Sequence, residues 1–222
     1  MPGTLPKKVV TQGLATVATQ RLNDTHSGYE SEVTEWEGHH SLVITPSQSK
    51  TLLPSGDDPA WGEIRGSVVC DLELKIYAIP VELMSKLLGV EYSDEDGVSM
   101  SDAPPVYVGL ALTVKETRDG AKTQNKIIAY KTCWDLPELS HETVGEDNAA
   151  VADLTIKGKG YPVFYTKADG SQGNKTVAIF NSVKQKAKWD ANAKSIQFPN
   201  ETDTKTPEPT DTETPESTTP EE

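Results

Sequence analysis

The sequence predicts a mainly β protein: an antiparallel β-sandwich or open barrel with one short flanking α-helix and a disordered C-terminal tail. Three observations lead there. Residues 68–79 (VVCDLELKIYAI) alternate, placing Val68, Cys70, Leu72, Leu74, Ile76 and Ala78 on one face and Asp71, Glu73, Lys75 and Tyr77 on the other. Two further strand-like runs, VYVGLALTVKET and NKIIAYKTCWD, are joined through Arg118, Asp119 and Gly120, and an Asp-Gly pair between strands is a hairpin signal. A helical pattern follows the first run at residues 80–88, where Pro80 suits a first turn and Gly89 suits the end.

Each element follows in chain order. Residues 1–8 read as a flexible arm and residues 9–22, rich in Thr and Val, as a first strand. Residues 23–40 (NDTHSGYESEVTEWEGHH) are polar, acidic and long for a connection, which predicts a functional or disordered loop. SLVIT at 41–45 is a short strand, a connector rich in Ser, Pro, Gly and Asp runs to Pro59, and residues 61–64 start the next strand. The helix sets Val81, Met84 and Leu88 on one face with Leu87 beside them, so it packs over the sheet. Residues 91–105 are a loop ending in Pro104 and Pro105. Residues 136–160 read as a strand, a tight acidic turn and a strand at 151–157. A further pair of strands occupies 161–166 and 176–180, and residues 183–190 fit either a helix or a last strand.

Length and charge bound the function. The 222 residues suffice for one domain, 1–199, with an appendage at 200–222. That appendage carries eight acidic residues and one Lys, a net of −7 out of −13 for the chain. Eight of its residues are Thr and four are Pro, and nothing in it can serve as a core, so it is expected to stay disordered. An acidic body argues against tight binding to phosphates, which needs a basic stripe, but suits a surface that DNA slides past. The start, MPGTLPKKVV, lacks the apolar run of a signal peptide and no stretch is long enough to span a membrane, so a soluble, cytoplasm-made chain is expected.

No catalytic constellation emerges. Cys70 and Cys133 lie in predicted strands and read as small buried hydrophobes; they have no CxxC or Cys/His spacing. His39 and His40, with His26 nearby, lack a carboxylate at ligand spacing, and adjacent strand residues point to opposite faces. Asp57-Asp58 and Asp94-Glu95-Asp96-Gly97 lack the alternating ligands and terminal Glu of a calcium loop. There is no GxSxG elbow and no phosphate-cradling glycine loop. No enzyme activity, metal or cofactor is expected.

The middle of the chain resembles the major tail proteins of long-tailed, non-contractile bacteriophages, the siphophages, especially those infecting Gram-positive bacteria. The matching segments are LELKIYAIPVELMSKLLGVEYSDEDGV, VYVGLALTVKETRDGAKTQNKIIAYKTCWD and ELSHETVGEDNAAVADLTIKGKG, within residues 61–161. The resemblance implies a tail-tube subunit. Six copies close into a ring through their sheet edges, rings stack through a long loop and terminal arms, and a tape-measure protein inside sets the length. Other implied partners are the tail terminator and the distal tail or baseplate proteins. DNA passes the lumen without specific binding, no membrane is involved, and the site of action is the virion tail, assembled in the host cytoplasm. On this view Asp71, Glu73 and Lys75 are candidates for the lumen or interface face, within an acidic lumen. Glu30, Glu32 and Trp36 are candidates for the ring-to-ring loop. The alternative is a β-sandwich binding or adhesion module with the Thr/Pro-rich end as a stalk.

Overall fold

The computed structural model describes residues 9–55, 58–77, 79, 81–99, 104–137, 154–167 and 169–199. Within them the chain is mostly strand. β1 (Val9–Leu22), β2 (Tyr29–Trp36), β3 (His39–Ser55) and β4 (Asp58–Ile76) come first, then α1 (Val81–Leu88) and a small hairpin of β5 (Glu91–Ser93) and β6 (Gly97–Ser99). β7 (Val108–Arg118), β8 (Ala121–Trp134), β9 (Leu154–Tyr161), β10 (Val163–Thr166), β11 (Gln172–Lys175), β12 (Val177–Asn181) and α2 (Lys186–Ala191) follow.

Eight strands form one antiparallel sheet in the order β2-β1-β7-β8-β9-β4-β3, with β12 beside β8. β8 shares one edge between two partners, β12 along 125–129 and β9 along 131–134. The sheet folds over on itself. Leu110 and Leu112 of β7 and Ala129 and Trp134 of β8 meet Leu72, Leu74 and Ile76 of β4 in one core. Each Leu or Ile side chain among them, taken fully out of water, contributes about 1.5–3 kcal/mol.

α1 lies against this core through Leu83, Met84, Leu87 and Leu88. It stops at Gly89, whose φ of +70° and N–H to Ser85 O bond (3.0 Å) form a left-handed cap. A Cβ there would sit 2.7 Å from Val106 Cγ2, so glycine is needed on two counts. The β7–β8 hairpin turns through Asp119 (φ +49°) and Gly120 (φ +86°), the two positive values its Asp-Gly pair predicts.

A second, smaller core lies on the outer side of β8. Ile128, Tyr130, Val163 and Ile196 are buried there, with Tyr29 and Phe198 packed alongside. β8 is therefore covered on both faces, which is why Ile128, Ala129 and Tyr130 are buried in succession.

Several expectations are corrected. Residues 23–40 are not one long loop: after a turn at 24–28 they form β2, paired with β1 from Val17 opposite Trp36 to Leu22 opposite Tyr29. The short strand at 41–45 and the connector after it are parts of a single 17-residue strand, β3. Its composition mimics a loop because it is an exposed edge, where Pro46 is tolerated. The alternating face of β4 starts at Cys70, where pairing with β9 begins, and Val68 is 37% exposed. The 91–105 segment contains the β5–β6 hairpin. β10 pairs β11, and β12 pairs β8 rather than β10. Residues 186–191 are helix. The N-terminal arm (1–8), most of the acidic turn (138–153) and the C-terminal tail (200–222) lie outside the described residues.

Candidate functional site

The lumen candidates occupy the outward side of β4. Asp71 lies between Thr45 of β3 and Lys159 of β9, Glu73 between Val43 and Lys157, and Lys75 between Ser41 and Thr155. β9 reads IKGKG there: Ile156, Gly158 and Gly160 point inward while Lys157 and Lys159 point out. The inward glycines are a packing requirement. A Cβ on Gly160 would lie 2.2 Å from Cys70 Sγ, and one on Gly158 would lie 2.9 Å from the Trp134 ring.

The same face continues onto β8, where Cys133 lies opposite Lys159 and Lys131 opposite Tyr161. Lys131 Nζ sits 4.2 Å above the Tyr107 ring and 3.1 Å from His26 Nδ1. Burial and the Lys131 charge both lower the His26 pKa, and burial also lowers that of Lys131. A shallow cavity of about 280 Å³ opens among Asp71, Glu73, Asp135, Lys157 and Lys159. Among the described residues the face thus alternates in sign, with Lys75, Lys131, Lys157 and Lys159 set against Asp71, Glu73 and Asp135. This face, taken by itself, is of mixed sign and not acidic. The Lys-Gly alternation of β9 was the signal, and its significance appears only once β9 lies beside β4.

The other three candidates are used within the subunit. Trp36 is 3% exposed, donates from Nε1 to Thr19 Oγ1 (3.0 Å) and packs against Trp134 at 6.1 Å between centroids. It is a core residue, not a loop contact. Glu30 pairs with Arg21 (3.6 Å), and Glu32 makes an ion pair with Lys86 that ties β2 to α1.

The histidines disperse. His26 lies by Lys131, His39 Nδ1 is 3.1 Å from Trp36 O, and His40 stacks on Tyr77. Asp94 accepts from the Tyr92 hydroxyl and Asp96 from Ser93 Oγ, closing the β5–β6 turn. Asp57 lies outside the described residues. Among those described, no group of three potential metal ligands gathers, and no helix is long and apolar enough to cross a membrane. Cys70 and Cys133 flank β9 from opposite sides, about 10 Å apart at two strand spacings and facing opposite ways, beyond disulfide reach. Burial raises both thiol pKa values.

Two features escaped the sequence. The first is an arm. β3 and β4 stay paired from Ser47 opposite Val69 out to Ser55 opposite Asp58, but β9 accompanies β4 only from Cys70 onward. The outer half is a bare two-stranded ribbon, with Leu52 and Ile64 each 56% exposed. The second is a C-terminal strap. Lys126 donates to Asn192 O beside the Trp189 ring, Ile196 N–H donates to Gln20 Oε1 (2.8 Å), and Phe198 packs on Tyr29. These contacts hold the last described residues, up to 199, against the body.

A scan against protein-family models finds no match, and a search of curated proteins finds none either.

Proposed function

We propose that this protein is a structural subunit that assembles with copies of itself into stacked rings, as the major tail proteins of siphophages do. Six copies to a ring would form a tube around a tape-measure protein. The tail terminator and the distal tail or baseplate proteins would meet its two ends. Its place is the virion tail, built in the host cytoplasm, and the role needs no catalytic group.

The observation that carries this reading is the arm. A ribbon that leaves the sheet with exposed apolar side chains and, among the described residues, no further strand on either edge is poorly supported by its own chain. The sheet also ends in two strands, β2 and β3, that each have a single partner, which leaves a route to annular closure. The ring-to-ring role assigned to residues 23–40 passes to this arm. The outward face of β4 and β9 is the proposed lumen. Its alternating charges offer DNA phosphates no continuous basic track, so DNA is not held there.

The test is direct. Concentrated protein is examined by negative-stain microscopy and sedimentation velocity, and rings or tubes with a central hole are expected. A species that stays strictly monomeric at high concentration overturns the reading.

A further inference from the structure

β1 is paired with β7 along almost its whole length, but β2 covers its other edge only from Val17 to Leu22. Among the described residues, the edge from Val9 to Thr16 carries no strand. The cause lies in the next connection. β2 ends at Trp36 opposite Val17, Gly38 (φ +69°) redirects the chain, and β3 then pairs with β4 in the other layer. β2 and β3 are in effect one run that leaves β1 and crosses over. A wedge-shaped cleft opens where they part, about 500 Å³ in volume. Its walls include Leu14 of β1 with Leu42 and Ile44 of β3, and Leu112 and Ile127 form its floor. Leu14, Leu42, Ile44 and Ile127 pack against the core yet are only partly buried, and Ile179 at the rim is 63% exposed. The cleft is an incompletely covered part of the core.

The arm has the complementary deficit. Opposed residues of an antiparallel pair share a face, so Thr51 and Ile64, Leu53 and Gly62 line one side of the ribbon. The other side carries Lys50, Glu63 and Arg65 together with Leu52, which lies opposite Glu63, and Glu63 Oε1 is 3.9 Å from Lys50 Nζ and 2.5 Å from Arg65 Nε. The first side is thus uncharged, and the charges of the ribbon's paired stretch gather on the second. Its own cleft is out of reach, because the arm continues β3 past Pro46, itself part of the cleft wall, and would have to reverse direction to fold back. Among the described residues the free edge of β1 spans eight residues, about 27 Å, and that of β4 runs from Asp58 to Ser67, where Val68 O accepts from Thr176 Oγ1 (2.6 Å), so one can run along the other.

We propose that the cleft between β1 and β3 receives the arm of a second copy of this chain. The face with Leu53 and Ile64 lies over the cleft floor and the free edge of β4 runs beside that of β1. Arm and cleft are different surfaces, so the contact is head-to-tail and propagates from copy to copy instead of closing a two-fold dimer. This rests on the self-assembly reading and names the acceptor site within it.

The test uses the full chain in a Cys133→Ser background. One preparation carries Thr51→Cys on the arm, the other carries Thr11→Cys on the cleft wall, and the two differ in tag length. Mixed under assembling conditions and oxidised, they are expected to form the Thr51–Thr11 hetero-crosslink well above either homo-crosslink. Adding Ile64→Glu at its exposed position is expected to cut the yield about tenfold without changing the thermal unfolding midpoint of dilute protein. Assemblies that form without this crosslink, or that are indifferent to Ile64→Glu, overturn the cleft as acceptor and leave self-assembly standing. Absence of both assembly and crosslink overturns both.

Discussion

Gly160→Ala tests the register on which the proposed lumen face depends. The added Cβ would lie 2.2 Å from Cys70 Sγ, and Cys70 is 1% exposed, held on β4 between Pro46 and Gly160. Something must shift, and overpacking of this kind costs about 1–3 kcal/mol, partly offset by the backbone entropy that Ala removes from the unfolded chain. Cys70→Ala alone removes a buried sulfur, for about 1 kcal/mol. In the double variant the new methyl group enters the space the sulfur left. The pair is therefore expected to cost less than the sum of its parts by at least about 1 kcal/mol. Urea unfolding of dilute protein, followed by the fluorescence of the core residues Trp36 and Trp134, measures all four corners of the cycle. Additivity within about 0.5 kcal/mol would refute the reasoning. β9 would then not lie against β4 in this register, and a slip of one residue would turn Lys157 and Lys159 inward.

Two further outcomes follow from the same packing. Trp36→Ala is expected to destabilise the monomer by about 3–5 kcal/mol, since it empties a core site and orphans Thr19 Oγ1; a surface loop residue would cost under about 0.5 kcal/mol, so urea unfolding separates the two. Tyr29 donates to Tyr130 O (2.6 Å), and burial pushes its hydroxyl pKa far above 10.0, so the folded state keeps a proton that the unfolded chain loses above pH 10. Stability is lost as pH rises through that window, and Tyr29→Phe is expected to remove about 1.4 kcal/mol of the loss by pH 11, read from urea unfolding at pH 8 and pH 11.

What the sequence disclosed depended on how far each element answers to its own residues. β4, α1 and the β7–β8 hairpin were legible because strict alternation, a short apolar stripe ending in Gly89 and an Asp-Gly pair are local signals. β2 and the outer part of β3 were not, because an edge strand in water can be as polar as a loop: YESEVTEW and TPSQSKT have little apolar periodicity to read. Trp36 passed for a loop residue because the acidic residues around it, Glu35 and Glu37, suggested solvent. Its partner Trp134 is nearly a hundred positions away, and only the fold brings the two together. The charge balance of the outward face was hidden for the same reason. Asp71, Glu73 and Lys75 were visible in one strand, whereas the lysines that balance them belong to β9.

A chain with strand edges unpaired among the described residues, a ribbon with exposed Leu52 and Ile64, and an open cleft must still avoid sticking to everything. Three features restrict it. Pro46 removes a donor from β3 beside the cleft, and β1 shifts register against β7 twice, between Thr11 and Gly13 and between Leu14 and Thr16, so its free edge is not a flat template. The formal charge of −13 adds mutual repulsion between separate copies, screened beyond about 8 Å at physiological salt. Casual edge-to-edge pairing meets a missing donor, an irregular edge or like charge. The proposed contact differs in bringing the uncharged side of the arm, with Leu53 and Ile64, to the apolar cleft.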